Sequence, residues 1–275
     1  MIPESAGSPI VIKLGGRALD AGAISDFAAD LAQVTARGVP VVLVHGGGFE
    51  VTEWSRRLGH EPSFHEGLRV TDAATLEVVT AVLAGLANKR LVAGLRAAGV
   101  DAFGMSALDG GAVAVEPHPD RAVLGEVGQV REVRSTVLRA MLAQGLTPVI
   151  ASVAGARGAL LNVNADDVAA AVAAALEARD LVLLSDAPGL VLEGVLQRIV
   201  TLAALDRALG HPDVRGGMVP KLIAARTAIE GGVGRVSIAA FTGRGALTAI
   251  LEGRALATTI LNEIETPADT TEVHS

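Results

Sequence analysis

The stretch Val41–Asp72, VVLVHGGGFEVTEWSRRLGHEPSFHEGLRVTD, decides the fold of this chain. It opens on an apolar, mostly β-branched run, Val41 to Val44, of the kind that fills a strand buried on both faces of a parallel sheet. The run ends in His45 and three glycines, and the chain then turns helical. Glycines between a strand and a helix let backbone N–H groups approach an anion with no Cβ in the way, and the helix N-terminus adds a favourable dipole. Phosphate is the expected guest. The dinucleotide fingerprint G-x-G-x-x-G and the P-loop G-x-x-x-x-G-K-[ST] are both absent, because nothing after Gly48 supplies the later glycine or lysine. Further on, GLRVTD at Gly67 to Asp72 sets an arginine one turn ahead of a helix capped by Thr71 or Asp72. A guanidinium there suits a carboxylate or a phosphate bidentately.

Upstream, Ile10 to Leu14 reads as a short apolar strand carrying Lys13, and it stops at Gly15 and Gly16. Ile24, Phe27, Leu31 and Val34 follow at helical spacing and Gly38 closes the helix, so Ile10 to Val44 is a βαβ unit. Downstream, Ala73 to Ala98 reads as a long helix with Leu76, Val79, Leu83 and Leu86 on one face and a break at Gly85. Phe103 to Glu132 reads as a β-hairpin layer able to cover a substrate. Ser135 is expected to cap a helix through Gln144, with a buried strand at Pro148 to Ser152. Leu161 to Asp166 opens an alanine-rich helix to Ala178, and Leu181 to Ser185 is the strand after it. A hairpin follows around Glu193 and Gly194, then a helix from Leu202 to Leu209. GGMVPK at Gly216 to Lys221 starts another helix with proline in its first turn. Val236 to Ala239 and Ala257 to Ile260 are the last strands, and a frayed polar tail is expected from about residue 264, with no role for His274.

Half of the 275 residues are apolar and only 2% are aromatic, so Ala, Val and Leu must fill the interior of a helix-rich α/β protein. That length suits one large sheet or a two-lobed unit equally. The formal net charge of −7 argues against nucleic acid or an anionic membrane as partner. Any phosphate site must therefore be built locally, from placed lysines and backbone amides. With no cysteine, disulfides, thiolate chemistry and cysteine-ligated zinc are excluded. No apolar run is expected to span a membrane, and Met1 to Pro9 lacks the regions of a signal peptide, so a cytoplasmic setting is expected.

If the strands are parallel, Lys13 with Gly15 and Gly16, the Gly46 to Gly48 turn and the Asn162 to Asp166 segment converge on one sheet edge, where open α/β sheets bind ligands. Lysines at glycine turns suit phosphoryl transfer, which rests on positioning and charge neutralisation. A lone strand lysine is more often a solvated edge residue, but Lys13 stands between Ile12 and Leu14. Taken together, IKLGG (Ile12–Gly16), VHGGG (Val44–Gly48), GLRVTD, NVNAD (Asn162–Asp166) and GGMVPK resemble the motif set of the N-acetylglutamate kinases, in the amino acid kinase family. The likeness runs from about Ile10 to Ile260.

The resemblance implies a three-layer αβα sandwich on a mainly parallel sheet, in two lobes: residues 1–155 for the acyl amino acid and dimerisation, 156–275 for ATP and Mg2+. It implies catalytic roles for Lys13, Lys221 and Asp166, the lysines stabilising the transferring phosphoryl group and the aspartate orienting them. Gly15, Gly16 and Gly46 belong to phosphate binding. Gly47, Gly48, Arg69 and Asn162 belong to substrate binding, the last two on the α-carboxylate of N-acetyl-L-glutamate; no protein metal ligand is assigned. The chain departs from the family pattern at Phe49, Glu50 and Val51, where many relatives have a proline and a small polar residue, and Phe241 to Leu251 has no G-x-G-T ending. The alternatives are the related kinase of an N-blocked α-aminoadipate in lysine biosynthesis, and a non-catalytic binding module on the same fold. The resemblance implies a homodimer assembled through the N-terminal lobe; arginine feedback, which in the inhibited members of the family goes with an extra N-terminal helix, is expected to be absent or weak, because the roughly eight residues ahead of the first strand amount to about two helical turns and include Pro3, Gly7 and Pro9.

Overall fold

The computed structural model describes residues 7–263, and the expectations for the first six residues and for the tail from residue 264 lie outside the described residues. The βαβ unit is formed by β1 (Ile10–Leu14), α1 (Ala21–Thr35) and β2 (Val41–His45), with a 3-10 turn at Gly16–Leu19. Every residue of both strands is buried, as helices on both faces require. Next come α2 (Gly48–Arg57) and the short ribbon of β3 (Phe64–His65) and β4 (Leu68–Arg69). The helix after it is capped by Asp72, whose carboxylate accepts the Thr75 N–H at 2.7 Å.

That helix is not broken at Gly85. α3 (Ala73–Thr80) passes through a π-helical segment, Ala81–Ala87, into α4 (Asn88–Ala97), and the wider turn absorbs the glycine. By length and composition Ala73–Ala97 could cross a membrane, which corrects the expectation that no apolar run is long enough. Here its α4 half packs between α1 and the central sheet.

A second correction concerns Phe103, which is in the central sheet and not in the hairpin layer: β5 (Ala102–Ser106) pairs with β8 (Thr147–Ala151). The layer itself holds β6 (Val113–Pro117), β7 (Val127–Val133), β9 (Val153–Ala156) and β10 (Ala159–Val163), with α5 (Arg121–Leu124) between β6 and β7. Thus Leu161 to Val163 is strand and not helix. Helix α6 (Ser135–Ala143) begins at Ser135 itself, with Arg134 in the cap position and no side-chain cap. Three hairpins turn on a two-residue loop whose second member is glycine: Glu66–Gly67, Arg157–Gly158 and Glu193–Gly194. All six residues have positive φ, the conformation that two-residue hairpin turns demand.

The remaining elements are α7 (Ala165–Ala175), β11 (Asp180–Ser185), β12 (Val191–Leu192), β13 (Val195–Leu196), β14 (Ile199–Thr201), α8 (Leu202–Leu209), α9 (Met218–Glu230), β15 (Arg235–Ala240), α10 (Ala246–Leu251) and β16 (Ala257–Leu261). One eight-stranded sheet, in the order β14-β16-β15-β11-β1-β2-β8-β5, draws on both halves of the chain. From β15 to β5 it is parallel, while β16 runs antiparallel to β15. Strand alternation sorts the core into two layers. Val11, Val42, Val44, Leu181 and Leu183 face α7 and α9, and Ile10, Ile12, Val41, Leu43 and Val182 face α1 and α4. This is the three-layer αβα sandwich. The parallel strands end together on one edge, where Gly15, Gly46, Ser152 and Asp186 leave the sheet.

Candidate active site

Lys13 is the next-to-last residue of β1, and alternation turns it toward α7 while the core around it holds it to 7% exposure. A lysine that buried needs an opposite charge. Asp166, in the first turn of α7, supplies it: the Lys13 ammonium lies 2.9 Å from Oδ1. The other oxygen, Oδ2, accepts from Lys221 at 3.2 Å. Lys221 stands in the first turn of α9 and also donates to the Gly217 carbonyl at 3.2 Å. Asp166 is itself aimed by Asn164, the N-cap of α7, whose Oδ1 accepts the Asp166 N–H at 2.7 Å and the Asp167 N–H at 3.4 Å.

The electrostatics follow from that packing. Burial alone would raise the Asp166 carboxyl, but the Lys13 and Lys221 charges outweigh it and hold it below the usual carboxylate range. Burial first, and the Lys13 charge second, push Lys221 below an ordinary lysine. Asp167 gains no lysine. Burial and the neighbouring Asp166 charge raise it to about 7.

Three of the site glycines, Gly15, Gly16 and Gly47, leave room that neighbouring side chains occupy. The Lys13 ammonium folds over Gly15, 2.5 Å from where a Cβ would stand, and Leu83 of the π-helical segment lies 2.7 Å from that position on Gly47. Gly16 has φ +58° with the Asp186 carboxylate against it.

Across the cleft, Arg69 is 8% exposed, and its guanidinium lies 4.8 Å from the Phe64 ring centre. Its Nη2 donates to the Gly48 carbonyl at 2.9 Å and to Thr52 Oγ1 at 2.8 Å. Its buried Nη1 has no hydrogen-bond partner among the described residues. Asn162 leaves β10 beside it and donates to Thr71 Oγ1 at 3.0 Å. Thr71 is in turn pinned by backbone bonds with Leu124 and Glu126.

Lys13, Gly15, Gly16, Gly46, Gly47, Gly48, Arg69, Asn162, Asp166 and Lys221 all line this one cleft, whose volume is about 270 Å³. Every site residue expected from the sequence is therefore brought together. At the departures from the family pattern, Val51 lines the cleft wall, Glu50 pairs with Arg90, and Phe49 points away at 68% exposure. Sequence reasoning missed Asn164, Thr52, Thr71, Phe64 and Asp186. Asn164 was discoverable, since an asparagine directly before a helix with acids in its first turn is a cap signal. The others act through contacts between distant segments.

Two lysines on one buried aspartate, glycine amides at two strand ends and an arginine opposite them make this an αβα protein of the phosphoryl-transfer class. The match to the amino acid kinase family covers residues 8–240, and the chain belongs to that family. Acetylglutamate kinase of Roseiflexus sp. (strain RS-1) is 44% identical over 227 residues, covering 82% of this chain and 85% of that protein. Acetylglutamate kinase of Rubrobacter xylanophilus is 43% identical over 255 residues, covering 92% and 97%. Among solved structures, N-acetylglutamate synthase from Neisseria gonorrhoeae, complexed with coenzyme A and N-acetyl-glutamate, superposes with a TM-score of 0.83 at 27% identity, over 94% of this chain and 60% of that one.

Proposed function

We propose that this chain is a kinase that transfers the γ-phosphoryl group of ATP to the side-chain carboxylate of N-acetyl-L-glutamate, making the acyl phosphate of arginine biosynthesis. The observation that carries this reading is the Lys13–Asp166–Lys221 cluster facing a buried guanidinium with a free N–H across one small cleft. The acceptor carboxylate is ionised at neutral pH, its ordinary pKa being about 4.3, so no base has to remove a proton. A carboxylate oxygen attacks the γ-phosphorus. The new P–O bond forms as the bond to the β,γ-bridging oxygen breaks, and that electron pair leaves with ADP. Charge on the peripheral oxygens is met by Lys13, Lys221 and the amides of Gly16, Gly47 and Gly48. Gly15 and Gly46 let the chain approach the phosphates. Arg69 Nη1 and Asn162 hold the α-carboxylate.

ATP enters as its Mg2+ complex, the ion travelling on the phosphates as part of the substrate. The described residues hold no cluster of three or more acidic or histidine side chains able to cage a metal, and Asp166 is already matched to two lysines. We also infer the two-lobe division of labour at about residue 155, a homodimer and a cytoplasmic setting. The homodimer is supported by β5, an edge strand of the central sheet that leaves Phe103 51% exposed.

The deciding experiment is ADP release by the purified chain with N-acetyl-L-glutamate and with N-acetyl-L-aminoadipate. Turnover that favours the glutamate is expected; one methylene separates the two by about 1–3 kcal/mol. A preference for the longer acid would move the chain to the lysine-pathway reaction, and no turnover with either would overturn the reading.

A further inference from the structure

His45 ends β2 with a side chain that never reaches the cleft. It is fully buried, and alternation puts it on the sheet face of Val41 and Leu43, beneath the glycine turn that follows it. Its Nδ1 is 2.8 Å from the Gly46 carbonyl oxygen and its Nε2 is 3.0 Å from Asn88 Nδ2. The neighbours decide which ring nitrogen carries the proton. Asn88 Nδ2 is also 2.9 Å from the Val149 carbonyl and 3.3 Å from the Met105 carbonyl, which can only accept. Asn88 Oδ1 takes the Lys89 ammonium at 3.0 Å, which can only donate. The amide thus presents an N–H to Nε2, and the imidazole proton sits on Nδ1, aimed at the Gly46 oxygen. Burial keeps the ring neutral down to about pH 4; the Gly46 bond opposes that shift and the Lys89 charge adds to it.

A trans peptide unit is planar, so its C=O and N–H point in opposite directions. Holding the Gly46 carbonyl down onto His45 turns the Gly47 N–H the other way, toward the cleft that Gly46, Gly47 and Gly48 line. The residue types of the turn do not enforce that orientation. Both residues of the peptide are glycines, free of Cβ restraint, and Gly47 stands at the N-cap of α2 with no side-chain cap. We propose that Asn88 and His45 are positioning residues for phosphoryl transfer: Asn88 selects the tautomer, and the Nδ1–H of His45 holds the Gly46–Gly47 peptide with its N–H toward the transferring group. This rests on reading the cleft as a phosphoryl-transfer site.

The test pairs His45→Leu, of similar volume and without a donor, with His45→Asn, whose amide N–H stands near the place of Nδ1. Both lose Asn88 as a partner, so any shared folding cost cancels between them. His45→Leu should lower kcat about ten- to a hundredfold, the scale of one misaimed oxyanion donor, with KM for N-acetyl-L-glutamate within about twofold. His45→Asn should recover most of that loss. Equal losses in both variants, or a folded His45→Leu with wild-type kcat, would overturn the proposal. A second readout needs no variant and no activity. Nitrogen-15 NMR of the wild-type imidazoles at pH 7 should show one buried histidine protonated on Nδ1 alone; a proton on Nε2, or an imidazolium, would overturn it. An inactive wild type with the Nδ1 tautomer would instead count against the proposed reaction and leave the relay standing.

Discussion

Asp166 and Asp167 are adjacent carboxylates with opposite fates, and the difference is a lysine pair. Asp166 stays ionised because Lys13 and Lys221 compensate its burial, whereas burial and the Asp166 charge raise Asp167 to about 7. Between its ordinary value near 3.8 and about 7, the folded chain binds a proton at Asp167 that the unfolded chain has released. Its contribution to stability therefore falls as pH rises through that window and levels off above it. An amide in its place would stay neutral throughout. The thermal midpoint of Asp167→Asn should match wild type near pH 4, exceed it increasingly up to about pH 7 and keep that lead above it; a difference that does not change with pH would show that Asp167 is ionised in the fold. At Lys13 and Lys221 the expected effect is on rate. Replacing either by alanine should lower kcat by about 10²–10³-fold, the range for losing one group that meets developing charge, in a protein that still unfolds cooperatively. A folded Lys221→Ala variant with unchanged kcat would remove the assigned role.

Helix α7 shows how one element aims a site. Its first-turn amides are orphaned by helix geometry, Asn164 satisfies two of them, and the cap thereby fixes the turn that carries Asp166. Asn164→Ala should cost about 1 kcal/mol, lower the thermal midpoint by a few degrees and reduce kcat several-fold. Asn164→Ser keeps a side-chain acceptor and should restore most of both. Full activity in Asn164→Ala would mean that packing alone orients Asp166. The π-helical segment Ala81–Ala87 has a comparable place on the other side, setting Leu83 against Gly47 and leading directly into Asn88. The periodicity of Ala73 to Ala98 announced a helix but not the wide turn, because a π segment is held by tertiary packing and leaves no residue-type signature.

At the scale of the molecule, the half-exposed Phe103 on the sheet-edge strand β5 is the place where a second copy is expected. Light scattering should give twice the chain mass, and Phe103→Lys should shift it toward one chain. A doubled mass that ignores this substitution would put the interface elsewhere. The sequence by itself determined the βαβ opening, both glycine turns and the starts of α3 and α9 within a residue or two, because turn chemistry and hydrophobic periodicity are written in neighbouring side chains, while most of the cleft residues were named through the motifs shared with the family. It also carried the Glu66–Gly67 and Arg157–Gly158 turns in the same form as Glu193–Gly194, though their short flanking strands hid them. Only the tertiary structure decided that Phe103 lies in the central sheet, that Lys221 reaches Asp166 from 55 residues away, that Arg69 keeps one N–H free, and that Asn88 sets the proton on His45. Strand order and side-chain aim depend on contacts between segments far apart in the chain, and nothing in the residues around each one encodes which partner it will meet.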